Sequence, residues 1–379
     1  MARDVAEGFT HDRFGKVREA FEANLAGGAD VGASFCATLE GETVVDLWGG
    51  WANEDEGRPW ERDTIVNVYS TTKTMTALTA LLVADRGELD FDAPVARYWP
   101  EFAAAGKQDV KVSHLMSHSA GLSGWKEPLT KEDLYDWDKA TSLLAAQAPF
   151  WEPGTASGYH ALTQGYLVGE VVRRITGKSL GTVFREEIAG PLGADFHIGL
   201  PASEDHRVAD LIAPPPGASI ADRSESELQK NMSGNPPIDV AETRTRAWRG
   251  AEIPAAGGTG NARSVAQVHV ILANGGVAQG KRFMSEAGCR KALEVQIEGQ
   301  DLILGMPARF GMGFGLAGAM PLPNPNTIFW GGYGGSLVII DMDARTTFAY
   351  AMNKMAPTTT GDMRAFGLAM AMWEAMGAI

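Results

Sequence analysis

Cysteine is scarce in this chain: two residues, Cys36 and Cys289, among 379. They lie far apart and show no metal-ligand spacing, which argues against a disulfide scaffold or a cysteine-zinc site. The expected state is two unpaired core thiols in a reducing compartment. Positive charge is also in short supply. The formal net charge is −14, which argues against nucleic acid or an anionic membrane surface as partner. No run is long and apolar enough to span a bilayer. The first eight residues, Met1 to Gly8, lack the apolar centre of a signal peptide, so a soluble, cytoplasmic protein is expected. What remains is an ordinary globular composition, 45% hydrophobic and 21% charged, in a chain longer than one typical domain.

The most informative segment is Ser70-Thr71-Thr72-Lys73. It follows the alternating run Ile65 to Tyr69, read as a strand, and opens an apolar stretch, Thr71 to Asp85, read as a helix. Residues three apart on a helix share a face, so Ser70 and Lys73 sit one turn from each other. A serine hydroxyl is a weak nucleophile until a base removes its proton, and a lysine with a lowered pKa can be that base. A second match, Ser123-Gly124-Trp125-Lys126, has neither a strand before it nor a helix behind it, so it serves as a control rather than a candidate.

Two other segments supply partners for Ser70. Trp151 to Tyr159 is a turn-rich approach to a tyrosine just ahead of a helix read as Leu162 to Ile175. A tyrosinate beside a lysine ammonium can shuttle a serine proton. Trp330-Gly331-Gly332-Tyr333-Gly334-Gly335-Ser336 precedes an apolar strand, and glycines at a strand edge let a ligand approach the backbone. An N–H there, with that of Ser70, can hold an oxyanion. His114 and His118 have a zinc-like spacing, but Leu115 stands where a glutamate is needed and no third ligand is evident, so a structural role is expected. His160 is a further candidate base with no aspartate assigned to orient it. Gly177-Lys178-Ser179-Leu180-Gly181 matches a hydrolase elbow pattern but follows a helix instead of a strand. It is not a phosphate loop either, because Val172 occupies the place of the first glycine. No metal or cofactor is expected.

The remaining elements are a helix over Asp12 to Leu25, a hairpin of Ala33 to Leu39 and Thr43 to Trp48 that Gly49-Gly50 closes off, and a helix start at Thr130. Residues 200–253 read as irregular segments forming a wall over a site. Strands are expected at Phe310 to Leu316, Ser336 to Asp341 and Thr346 to Met352, with a last helix from Asp362 to Met376. Strands at both ends with helices between imply an α+β fold: one antiparallel sheet built from both termini, flanked by helices, with a mainly helical insertion. The corresponding division is 1–88 with 246–379, against 89–245.

Ser70 to Lys73, Leu115 to Leu122, Pro153-Gly154-Thr155 followed by Tyr159, and Gly257-Gly258-Thr259 before the helix at Ser264 occur in an order that resembles the serine β-lactamase and penicillin-binding-protein-like superfamily. Gly87 to Asp92 and Pro191-Leu192-Gly193 add to the match, which is nearest to class C β-lactamases and family VIII carboxylesterases. The resemblance implies a β-lactamase-like fold with the site between sheet and helical part. It implies Ser70 as acylated nucleophile, Lys73 as its base and Tyr159 as proton shuttle, with the N–H groups of Ser70 and Tyr333 as oxyanion hole. Two departures stand out. Tyr159-His160-Ala161 replaces Tyr-x-Asn, and Trp330-Gly331-Gly332 replaces Lys-Thr-Gly, a form that resembles the esterase branch. Loss of that amide and that cation disfavours a charged β-lactam or peptide substrate. A small neutral ester with an apolar part is the expected substrate. Acyl transfer to another alcohol or amine, β-lactam or D-peptide hydrolysis, and a non-catalytic binding module are the alternatives.

Overall fold

The computed structural model describes residues 4–217, 225–318, 322–359 and 361–378. Part of the expected wall, residues 218–224, lies outside them. An antiparallel sheet forms the centre. The N-terminal part supplies β1 (Glu7–Thr10), β2 (Gly32–Leu39) and β3 (Glu42–Asn53). The C-terminal part supplies β4 (Ile297–Gln300), β5 (Pro307–Phe310), β6 (Gly315–Leu316), β7 (Thr327–Gly331), β8 (Leu337–Asp341) and β9 (Thr346–Met352). Their order is β1-β3-β2-β9-β8-β7-β6-β5-β4. The two ends of the chain meet where β2 pairs with β9, from Ala33 opposite Met352 to Leu39 opposite Thr346. The expected α+β fold, with its sheet built from both termini, is therefore present.

The main helices are α1 (Gly15–Ala26), α2 (Thr72–Asp85), α3 (Thr163–Thr176), α4 (Ala262–Ala273) and α5 (Met363–Met376). They cover both faces of the sheet, which is why β9 is buried along its whole length. Neighbouring strand residues point to opposite faces. Thr347 Oγ1 donates to Ala266 O of α4 at 3.1 Å, while Phe348 meets Trp373 of α5 edge-on at 5.7 Å. The α1 side is tied to α5 by Lys16 Nζ on Glu374 Oε1 at 2.7 Å.

Several segments differ from the expectation. The strand through Thr43 to Trp48 does not stop at Gly49-Gly50; β3 runs on to Asn53, and Gly50 takes a positive φ of 81° within it. Phe310 to Leu316 is not one strand. It is the end of β5, a tight turn and β6. β7 was not expected as a strand. Residues 200–253 hold real helices, Glu227–Gly234 and Arg246–Gly250. The start at Thr130 is present as a capping box, but it opens a 3-10 turn, Lys131–Tyr135.

α2 is deeply placed: every residue from Thr72 to Val83 is buried. Its threonines fit there because their hydroxyls find backbone partners. Thr74 Oγ1 donates to Thr71 O at 2.8 Å, Thr76 Oγ1 to Pro254 O at 2.6 Å and Thr79 Oγ1 to Met75 O at 2.7 Å. A small second sheet sets the approach to α2. Val66–Asn67 and Phe196–His197 each pair with Thr259–Gly260. Among the described residues no helix is long and apolar enough to cross a membrane.

Candidate active site

Only Val66 and Asn67 of the run before Ser70 pair as a strand. The chain then turns sharply. Asn67 Oδ1 accepts the Tyr69 N–H at 3.1 Å, and Asn67 Nδ2 donates to Ala256 O at 3.1 Å. This clamp holds Tyr69 at a φ of +42°, a region that costs a residue with a side chain energy. Ser70 therefore stands on a 3-10 turn, Tyr69–Thr71, that feeds α2. Ser336 Oγ fastens that turn to the sheet, donating to Val68 O at 2.8 Å and lying 2.9 Å from Thr71 Oγ1.

Lys73 is fully buried in the first turn of α2. Its Nζ lies 3.0 Å from Ser70 Oγ, 2.6 Å from Ala161 O and 3.0 Å from Ala255 O. Burial disfavours the ammonium and moves the Lys73 pKa well below its ordinary 10.5. The Tyr159 hydroxyl is hydrogen-bonded to Ser70 Oγ, and its ring centroid lies 4.8 Å from Lys73 Nζ. Burial raises the phenol pKa above its usual 10. The three side chains that the motifs pointed to are thus brought together, in contact, from residues 89 positions apart.

The histidine-rich stretch builds the seat of Tyr159. His118 Nδ1 accepts the His160 N–H at 3.1 Å, and His118 O accepts the Gly158 N–H at 2.9 Å. The His118 ring packs 5.1 Å from that of Tyr159 and stacks on Trp330 at 5.3 Å and 24°. His160 Nε2 accepts the Leu122 N–H at 3.0 Å, and burial lowers the ring's pKa to about 3. With that lone pair engaged, His160 is not placed as the base of Ser70.

Behind this trio, Gly332 must lack a side chain. A Cβ there would fall on Val68 O and Ser336 Oγ, and would stand 3.3 Å from Ser70 N. The backbone at 332–333 is thereby pressed against the N–H of the serine. In front of it opens a cavity of about 850 Å³, lined by Ser70, Tyr159, Tyr69, Trp248, Tyr333 and Met232 among others. Among the described residues lining it, Asp239 alone is charged. Trp330, Gly331 and Gly332 are not in that lining. Trp330 is 3% exposed and packs behind Tyr159 on Phe310, so it backs the tyrosine instead of offering substrate a stacking face.

A model of the Beta-lactamase family matches residues 17–370. The chain belongs to that family. Esterase/beta-lactamase LipL of Mycobacterium tuberculosis is 36% identical over 362 residues, covering 92% of this chain and 83% of LipL. The crystal structure of a family VIII carboxylesterase matches at a TM-score of 0.92 with 46% identity, covering 98% of this chain and 99% of that one. A penicillin-binding protein homolog from Caulobacter crescentus matches at 0.91 with 38% identity, covering 98% and 99%.

As a member of the Beta-lactamase family the chain has clear non-participants. Ser179 caps the short helix Leu180–Phe184 and donates to Glu252 Oε1 at 2.6 Å, on the helix–helix connection expected for it. Ser123 is buried and Lys126 exposed, so that pair does not form a site. His114 Nδ1 accepts the Lys111 N–H at 3.3 Å. No group of three or more metal-ligating side chains converges among the described residues. Asn67 and Ser336 were missed from sequence. Each acts on a segment distant in the chain, and neither carries a local motif; the only hint was the serine closing Gly334-Gly335-Ser336.

Proposed function

We propose that this protein is a serine carboxylesterase that hydrolyses neutral esters of short to medium acyl chain through an acyl-enzyme on Ser70. Relatives named esterase and the carboxylesterase structure support a serine ester hydrolase. The observation that carries the reading is Ser70 Oγ held between Lys73 Nζ and the Tyr159 hydroxyl at the floor of the cavity. Two carbonyls take two Lys73 N–H bonds, so a neutral amine turns its lone pair to Ser70. On this reading Lys73 at rest is the amine and Tyr159 the phenol, in line with the downward shift of the one and the upward shift of the other that burial causes.

In acylation, Ser70 gives its proton to Lys73 and attacks the ester carbonyl. The N–H groups of Ser70 and Tyr333 receive the oxyanion. The C–O bond to the alcohol breaks, and Tyr159 supplies the alcohol's proton. In deacylation, the tyrosinate takes a proton from water, which attacks the acyl-enzyme. Ser70 leaves with the proton stored on Lys73, so both groups return to their starting forms. A lining with no described cation offers nothing to a substrate carboxylate, which supports an ester over a β-lactam. The two-part division, 1–88 with 246–379 against 89–245, belongs to this reading, with Tyr159 reaching Ser70 across it. A cytoplasmic location does too, supported by the two free, buried thiols.

Mass spectrometry after brief exposure to p-nitrophenyl butyrate is expected to place a butyryl group on Ser70, and Ser70→Ala to abolish turnover. Full turnover by Ser70→Ala, or nitrocefin preferred over the ester by kcat/KM, overturns the proposal.

A further inference from the structure

Asp301 is 1% exposed and precedes a turn in the C-terminal part of the chain. Its Oδ1 accepts three backbone N–H groups: Tyr159 at 3.1 Å, Ile303 at 2.9 Å and Leu304 at 2.8 Å. Ile303 and Leu304 are cavity-wall residues. The same turn is fastened twice more. The Leu302 N–H donates to Ser157 O at 2.9 Å, and Gln229 Nε2 donates to Ile303 O at 2.8 Å. Asp301 Oδ2 is buried and has no hydrogen-bond partner among the described residues.

Closing a turn needs only one acceptor oxygen, which a serine or asparagine provides. Asp301 Oδ1 does more than close that turn, because it also takes the N–H of Tyr159 from a segment 142 residues away. Here its one oxygen joins the backbone of the phenol-bearing residue to the wall of the cavity. We propose that Asp301 is a positioning residue: it sets where the Tyr159 hydroxyl stands over Ser70, and it ties that hydroxyl to the cavity wall at Ile303 and Leu304. This inference rests on the esterase reading, in which Tyr159 protonates the departing alcohol. A shift of the phenol by a fraction of an ångström harms that proton transfer, while Ser70 on its 3-10 turn and Lys73 on α2 keep their geometry.

The leaving group separates positioning from general damage. A p-nitrophenolate departs without a proton; an ethoxide needs one. For Asp301→Ala, kcat/KM with ethyl butyrate is expected to fall ~10–100-fold further than with p-nitrophenyl butyrate. Asp301→Asn keeps an acceptor at the same reach and is expected to recover most of the difference. Asp301→Glu keeps the charge but lengthens the arm, and is expected to behave like Ala. Should the Ala protein fail to fold, the Asn and Glu pair carries the same contrast. Equal losses on both esters, or Asn no better than Glu, overturns the inference. Wild-type protein inactive on both esters, or Ser70→Ala active on them, would instead sink the esterase reading.

Discussion

Lys73 and Lys107 are both fully buried, and each has three oxygens around its Nζ. Around Lys107 all three are backbone carbonyls: Ala104 at 2.8 Å, Ala145 at 2.9 Å and Gln147. Around Lys73 two are carbonyls and the third is the Ser70 hydroxyl. Carbonyls only accept, so Lys107 satisfies its shell with three N–H bonds, as an ammonium. A hydroxyl donates as well as accepts, so Lys73 stays fully bonded after losing a proton. Burial lowers both, Lys107 to about 8 and Lys73 well below 10.5. One atom in the shell thus separates a lysine that braces loops of the helical part from one that can exchange a proton.

The sharpest way to break this contrast is to change Lys73. Lys73→Met and Lys73→Arg are both expected to lower kcat/KM on p-nitrophenyl butyrate by ~10⁴-fold, because a guanidinium keeps its proton. An active Arg variant would erase the distinction. The next effect is on stability. Lys107→Met strands three buried carbonyls and is expected to cost about 2–4 kcal/mol, read as a lowered Tm, with kcat per folded molecule unchanged. A third test is the pH profile. Only the amine form of Lys73 accepts the serine proton, so kcat/KM is expected to rise with pH through a limb well below 10.5. With ethyl butyrate, whose alcohol needs a proton to leave, it falls again only above 10, where Tyr159, raised in pKa, gives up its proton. Lys107→Met is expected to leave the lower limb in place. The smallest effect belongs to a lysine in water. Lys178, paired with Glu186 at 2.7 Å on the surface, is expected to tolerate Met with no measurable change in Tm or rate.

The meeting of Ser70 and Lys73 was legible from a three-residue spacing with a chemical reason, and that of Tyr159 with them from the family resemblance. The α+β arrangement was legible from strand-like runs at both ends. The shell of Lys73 was not: Ala161 O and Ala255 O complete it, and a backbone carbonyl leaves no mark in sequence. Nor was the place of Trp330 behind the tyrosine, since its surroundings, His118 and Phe310, come from separate parts of the chain. β7 was missed because it ends in the glycines that read as a turn. α2 read as a helix from its apolar residues, and the burial of its threonines as well was not legible. In the fold, each finds a backbone partner inside.

The seam between β2 and β9 has a consequence during synthesis. Gly32 and Asn353, bonded across it at 2.9 Å, are 321 residues apart in the chain. Until the ribosome has made residues 346–352, the first hairpin has a bare edge whose N–H and C=O groups await a partner. Such an edge invites wrong pairing, so a nascent chain stalled before residue 346 is a ready client for chaperones and a poor candidate for stepwise folding.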